Sequence, residues 1–362
     1  MMFRISIDKK LYLSSYSAHT KLPIAQSLWQ VDICPARLLF THPTYPMIEI
    51  FWCFDEKIEQ FLIYYDLEKG FIEVSGKESK SFFSYRLIHD ERGLSLTMRR
   101  LTKPRLGYHY TKSSSSLQKT IQKAEIILLN DERGVISKSP LETLFLGCHK
   151  QPLFSQVKTR GLLEEILPLW HRLAQLIPSQ KPNKVSSKLL QAIDDAVVAK
   201  AHDNLEKPLL DLFQKGFCHV FIPRIYDEDF LGGEQLGEKL FDLKDPYSLF
   251  TICKDKIRSL FFKQEKNKLY ILPHLPKQLH QGKMLNIICE DLGILHIEWS
   301  KKALRKMIFE AVNGGKVDFI FPENFKRFRI REKGSRKKGF FSKESSISVI
   351  KGKTYFLDRF ER

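Results

Sequence analysis

Apolar and polar positions along the chain fall into three stretches of different period. Through residue 155 the apolar residues come in short alternating runs rich in aromatic and β-branched side chains. They include Phe3–Asp8, Leu28–Ile33, Met47–Phe54, Gln60–Tyr65, Phe71–Ser75 and Leu94–Met98. Turn signals separate them: His42-Pro43-Thr44-Tyr45-Pro46, Glu68-Lys69-Gly70, Ser75-Gly76-Lys77 and Asp90-Glu91-Arg92-Gly93. Period-2 runs with this punctuation predict a β-sandwich. Ser113–Ser116 reads as a loop tip, after which Glu125–Asn130 and Leu144–Gly147 are expected to return to the sheet.

The period then lengthens. Leu162, Leu163, Ile166, Leu167, Leu169, Trp170, Leu173 and Leu176 form a wide helical stripe. Pro168 inside it predicts a kink or a split. Ser187–Ala201 and Leu205–Gln214, with Gly216 as a stop, predict two further helices. Pro246–Phe262 predicts another, with Asp245 as N-cap and Pro246 at the first helical position. From Lys268 the strand period returns in seven runs, from Leu269–Leu272 to Thr354–Leu357. The expected fold is therefore multidomain β and α. An N-terminal β-sandwich (1–155) leads into a short helical middle (156–266), and a C-terminal β-sandwich (267–362) carries a basic hairpin.

Composition narrows the class. The 362 residues are 43% hydrophobic with 27 Phe, which excludes a disordered polymer. No window has the length of uncharged apolar sequence that a membrane span needs, and no signal peptide is evident. A cytoplasmic protein is expected. Cys34, Cys53, Cys148, Cys218, Cys253 and Cys289 are scattered without a C-x-x-C pair, which predicts unbridged thiols. Cys218-His219 is the nearest approach to a zinc pair, but adjacent residues of a strand point to opposite faces. No metal and no cofactor is expected.

Lys268–Ala311 is the most informative segment. A strand, Leu269-Tyr270-Ile271-Leu272, enters Pro273-His274-Leu275-Pro276. A loop with Gly282 follows, then a strand ending in Trp299 before a turn. This order resembles the junction between helical barrel and C-terminal sandwich in the α/α-toroid glycoside hydrolases of the α-L-fucosidase type. The resemblance implies their order of β-sandwich, helical barrel and small sandwich. Gly161 and Lys268, however, are only 107 positions apart. That length holds about four to six helices, too few for a closed double ring. No catalytic residue is carried over, and a degenerate, non-hydrolytic relative is the reading.

Candidate chemistry is sparse. Asp227, Glu228 and Asp229, with Glu234 and Glu238 nearby, form the densest acidic cluster and are the candidate catalytic carboxylates. The same run approaches a calcium loop, with Asp227, Asp229, Gly232 and Glu238 at positions 1, 3, 6 and 12, but Leu231 removes a ligand at position 5. His149 and His171 are the histidines considered, with Arg160 as a neighbour for His149. Most of the net charge of +17 lies in two stretches. Residues 326–343 hold Lys326, Arg327, Arg329, Arg331, Lys333, Arg336, Lys337, Lys338 and Lys343 against Glu332 alone. Arg92–Lys112 holds Arg92, Arg99, Arg100, Lys103, Arg105 and Lys112 without an acid. Cationic surfaces of this kind attract phosphate backbones or anionic lipid.

Three functional readings follow. The first is a non-catalytic binding or scaffold protein whose partner is a protein or a glycan. The second is a carbohydrate hydrolase with a shortened helical domain. The third is a nucleic-acid or anionic-surface binder using the two basic stretches.

Overall fold

The computed structural model describes residues 3–7, 9–113, 115–129, 141–148, 150, 153–179, 187–199, 204–224, 240–241, 247–322, 325–335, 338–342 and 346–361, with Lys338 by its backbone alone. Alternating burial in short strands builds the first layer pair. Its twelve strands are β1 (Tyr12–Ser15), β2 (Thr20–Pro23), β3 (Gln30–Cys34), β4 (Arg37–Thr41), β5 (Ile48–Cys53), β6 (Ile58–Asp66), β7 (Phe71–Glu78), β8 (Ser81–Asp90), β9 (Gly93–Leu101), β10 (Leu106–Lys112), β11 (Ser115–Ile121) and β12 (Ile126–Leu128). They form two antiparallel six-stranded sheets, ordered β1-β6-β7-β8-β9-β12 and β11-β10-β5-β4-β3-β2. Val31, Ile33, Leu38, Phe40, Ile48 and Ile50 face inward from one sheet, and Ile63, Ile72, Val74, Leu87 and Leu96 from the other. Trp52 of β5 meets Tyr85 of β8 across the interface at 5.3 Å between ring centroids. The expected N-terminal sandwich is present.

The helical middle contains α1 (Phe154–Arg160), α2 (Leu163–Leu176), α3 (Lys188–Val198), α4 (Glu206–Gly216) and α5 (Ser248–Phe261), with a two-residue hairpin, β14 (Phe217–Cys218) and β15 (Ile222–Pro223), between α4 and α5. Ser187 caps α3 by accepting from the Leu189 amide. The expected caps Asp245 and Pro246 lie outside the described residues. Helix α2 is not split at Pro168 but runs through it. A proline in a helix interior costs about 3 kcal/mol through a lost hydrogen bond and a ring clash, and burial of every side chain from Ile166 to Ala174 offsets it.

A short strand, β13 (Thr143–Phe145), precedes the helices, and the C-terminal strands are β16 (Phe262–Glu265), β17 (Lys268–Ile271), β18 (Gly282–Cys289), β19 (Gly293–Ser300), β20 (Ala303–Ala311), β21 (Gly315–Ile320), β22 (Arg327–Glu332), β23 (Lys338–Ser342), β24 (Ser346–Val349) and β25 (Thr354–Glu361). They make a seven-stranded sheet, β13-β18-β19-β20-β25-β22-β23, and a four-stranded sheet, β16-β17-β21-β24. Phe309 of β20 meets Phe319 of β21 edge-on at 5.7 Å, joining the two as a sandwich.

Two local expectations are corrected. Leu144 does not return to the N-terminal sheet: it pairs with Met284, placing β13 on the edge of the C-terminal sheet. The chain therefore enters the second sandwich before it builds the helices. Phe3–Ile7 alternates like a strand yet forms none. It docks through side chains instead. Phe3 packs on Phe356 at 4.9 Å, with the cations of Lys306 and Arg331 over its ring.

The elbow singled out in the sequence is the seat of α5 on the second sandwich. Trp299 stacks on Phe261 at 5.5 Å, and its Nε1 donates to the Leu279 carbonyl at 3.1 Å. Gly282 lies beneath the indole, where a Cβ would stand 2.2 Å from Trp299 Cζ2 and 2.8 Å from the Phe145 carbonyl oxygen. Gly282→Ala is therefore expected to destabilise the fold by about 1–3 kcal/mol through overpacking. Urea unfolding checks this: the midpoint falls at unchanged slope.

Candidate functional site

Polar side chains along α2 grip the chain just before it enters β13. Gln175 accepts from the Glu142 amide at 2.7 Å and donates to its carbonyl at 2.9 Å, matching a backbone pair. Arg172, also buried, donates to Thr143 Oγ1 and lies 3.6 Å from the Glu68 carboxylate of the N-terminal sandwich. His171, fully enclosed, places Nε2 3.5 Å from Glu142 Oε2. From α5, Arg258 Nε donates to both Glu142 oxygens at 2.9 and 3.0 Å, and its Nη2 donates to the Ile288 carbonyl at 2.8 Å. The Ile288 amide completes the set by donating to Glu142 Oε1 at 3.2 Å. Burial pushes the Glu142 carboxyl up, but the His171 ring and the Arg258 guanidinium outweigh it and hold it below the ordinary carboxylate range.

Beside this network opens a cleft of about 1480 Å³ between the two sandwiches. The helices do not enclose it as a ring: the C-terminal end of α2 and one face of α5 form its floor, and loops of both sandwiches form its walls. The N-terminal wall is aromatic. The His42 ring packs 4.9 Å from Trp29 and 4.7 Å from Tyr45, and Tyr45 stacks on Trp29 at 6.1 Å. His42 Nδ1 accepts from the Thr44 and Tyr45 amides at 3.1 and 3.3 Å, which fixes the turn 42–46 and leaves Nδ1 without a proton. Trp29 is wholly buried whereas Tyr45 is 42% exposed, so the tyrosine ring is the aromatic surface open to the cleft. Gln26, Gln175 and Gln264 line the same cleft, with the Gln175 amide taken up by the Glu142 backbone and that of Gln264 by the Lys266 and Glu290 backbone.

Charge in the cleft is balanced. Among the described residues, Lys254, Arg258, Lys263 and Lys266 face Glu142, Asp255, Glu290 and Asp291. The excess of positive charge lies elsewhere.

The sequence-nominated residues scatter. Asp227, Glu228 and Asp229, with Glu234 and Glu238, lie outside the described residues, as do His149, Arg336, Lys337, Lys343 and the side chain of Lys338. Arg99 and Arg100 are exposed on β9, with Arg100 over the Phe82 ring at 5.2 Å, and Arg105 is exposed just before β10. Lys103 is held by Asp55 and Glu78, each at 2.7 Å. Lys326 and Lys333 are exposed. Arg327 pairs with Glu361 at 2.5 Å, while Arg329 and Arg331 share Asp358 at 2.7 Å. Burial raises the Asp358 carboxyl less than those two arginines lower it, and it sits below its ordinary value. Arg160 pairs with Glu165. None of these described residues lines the cleft. The cleft residues carry no motif; only the turn signal at His42–Pro46 marked any of them.

Loss of Arg258 strands a buried carboxylate. Arg258→Ala is expected to cost about 2–4 kcal/mol, discounted for the partial exposure of the arginine. The pH dependence follows from linkage. Because the folded-state value of Glu142 lies below its ordinary 4.5, its contribution is complete above that value and is lost as pH falls through the folded-state value. Urea midpoints measured across the acid range should decline for the native chain and decline less steeply for Glu142→Gln, which starts lower at neutral pH.

Compared with known proteins, the chain matches no family model and no curated protein sequence.

Proposed function

We propose that this chain is a non-catalytic binding protein that takes a neutral, hydroxyl-rich ligand, an oligosaccharide, in the cleft between its sandwiches. The carrying observation is the pairing of an exposed aromatic face, Tyr45 backed by Trp29 and His42, with the Gln26 amide and the exposed carboxylates of Asp255, Glu290 and Asp291 in a cleft whose described charges balance. An aromatic face covers the apolar side of a sugar ring, and amides and carboxylates take its hydroxyls. Among the described residues the cleft lining carries no excess of cations to hold a polyanion.

Glycoside hydrolysis needs one protonated carboxyl and a partner across the scissile bond. Glu142 is the buried carboxylate of the cleft, and it is held ionised with its oxygens occupied. Asp255, Glu290 and Asp291 are exposed, without the apolar surroundings that keep a carboxyl protonated near neutral pH. For the described carboxylates of the cleft, a binding role therefore fits better than turnover. The sandwich–helix–sandwich order shared with toroid hydrolases supports a carbohydrate as the ligand class. The basic strand β22 fits an anion-binding role poorly, because Asp358 and Glu361 already engage its arginines.

No helix among the described residues is long and apolar enough to cross a membrane. The six unbridged cysteines fit a reducing compartment, and the cytoplasm is the proposed location.

Glycan-array screening of the full chain, followed by calorimetry on each hit, is expected to identify an oligosaccharide whose affinity falls at least about tenfold in Tyr45→Ala. Turnover of aryl-glycosides by the native chain, or glycan binding indifferent to Tyr45→Ala, contradicts the reading.

A further inference from the structure

Away from the cleft, on the outer face of the N-terminal sandwich, three metal-ligating side chains converge. In β3, Asp32 and Cys34 stand two residues apart, so both project to the same face, while Val31 and Ile33 point into the core. Strand β2 runs antiparallel to β3 with Thr20 opposite Ile33, and one further step sets His19 beside Cys34. The ligand atoms of His19, Asp32 and Cys34 all lie within 4.8 Å of one another. His19 Nε2 is 2.9 Å from Asp32 Oδ2 and 2.8 Å from Oδ1. Asp32 Oδ1 is shielded from solvent and accepts no well-directed hydrogen bond among the described residues.

A fourth donor arrives from a distant part of the chain. His219 sits at the tip of the β14–β15 hairpin with φ +44°, and its ring meets that of His19 edge-on at 5.5 Å. The hairpin is fixed there by the Val220 amide, which donates to the Lys21 carbonyl of β2 at 3.1 Å. The exposed His219 ring thus stands at the edge of the three-residue cluster, next to His19. The His19 side is ordered by a serine loop: Ser17 Oγ accepts from the His19 amide at 3.3 Å and donates to its carbonyl at 2.8 Å.

We propose that His19, Asp32, Cys34 and His219 form a four-coordinate site for a divalent transition metal, zinc by the chemistry of its donors, that ties the helical middle to the N-terminal sandwich. Two imidazoles, one thiolate and one carboxylate are all zinc donors, and four protein ligands with no open position define a structural site. Zinc holds such atoms at about 2.0–2.3 Å, and the three ligand atoms of His19, Asp32 and Cys34 already lie within 4.8 Å of one another. Donors of mixed hardness select zinc or cobalt over calcium and magnesium, which take oxygen alone. Cys218, next to His219 in sequence, keeps its Sγ 3.6 Å from the Ile222 carbonyl. Sequence spacing does not join His219 to the other three, which lie about 200 residues away and come near only through the hairpin contact.

The test uses metal alone. The full chain, stripped by chelator and dialysed, is titrated with Co²⁺ as a spectroscopic probe and then with Zn²⁺. One equivalent of Co²⁺ is expected to bind with a near-ultraviolet sulfur-to-cobalt band and the strong visible bands of tetrahedral geometry, and Zn²⁺ should displace it. Cys34→Ser should abolish the sulfur band. Asp32→Asn and His219→Asn should each weaken Zn²⁺ at least about tenfold. Asn is chosen at 219 because it tolerates positive φ, and Cys34→Ser is close in size, so circular dichroism can verify that each variant folds. No stoichiometric uptake reduces the site to a surface histidine–carboxylate pair and overturns the proposal. Uptake unchanged in Cys34→Ser or in His219→Asn overturns it equally.

Discussion

A carboxylate removed from water is the constraint around which this molecule is arranged. Desolvating Glu142 costs several kcal/mol unless cations and donors surround it, and here they come from three directions. His171 arrives on α2, Arg258 on α5, and the Ile288 amide on β18. None of these elements can shift without leaving the charge uncompensated. Because Gln175 and Arg172 of the same helix also clamp residues 142 and 143, the chain is held at the point where it crosses from one sandwich to the other. Trp299 over Gly282 and Phe261 then sets the second sandwich against α5 from the other side.

The cleft is a by-product of that arrangement. Two sandwiches fixed to a common helical floor leave a gap whose walls are loops. Those loops present an aromatic turn on one side and acidic and basic side chains on the other. The carboxylate that anchors the fold is thereby unfit as an acid catalyst, since the groups that make its burial tolerable also keep it ionised. Anchoring and proton donation place opposite demands on one side chain.

Much of the fold was legible because strands and helices differ in apolar period. The alternation at Val31 and Ile33 and the stripe from Ile166 to Leu173 are both set by local burial. Pairing partners were not legible. Thr143–Phe145 has the composition of a strand but nothing local to say which sheet it joins. Phe3–Ile7 alternates as a strand does and then binds through rings and cations rather than a backbone ladder. The basic run at Arg327–Arg331 looked like an open cationic surface because its acids, Asp358 and Glu361, sit about 30 residues later on β25. His171 stands out in the sequence as a candidate, but its partners were hidden for the same reason. Glu142, His171 and Arg258 become one group only after α2 and α5 pack together, and no spacing rule joins them.

The buried carboxylate makes two sandwiches and a helical bridge into one cooperative unit. Differential scanning calorimetry of the native chain checks this cooperativity. A single transition, with calorimetric and van't Hoff enthalpies equal, is the predicted result, giving way to two resolved transitions in Glu142→Ala. Two separate transitions in the native chain, or an undivided one in Glu142→Ala, would contradict it.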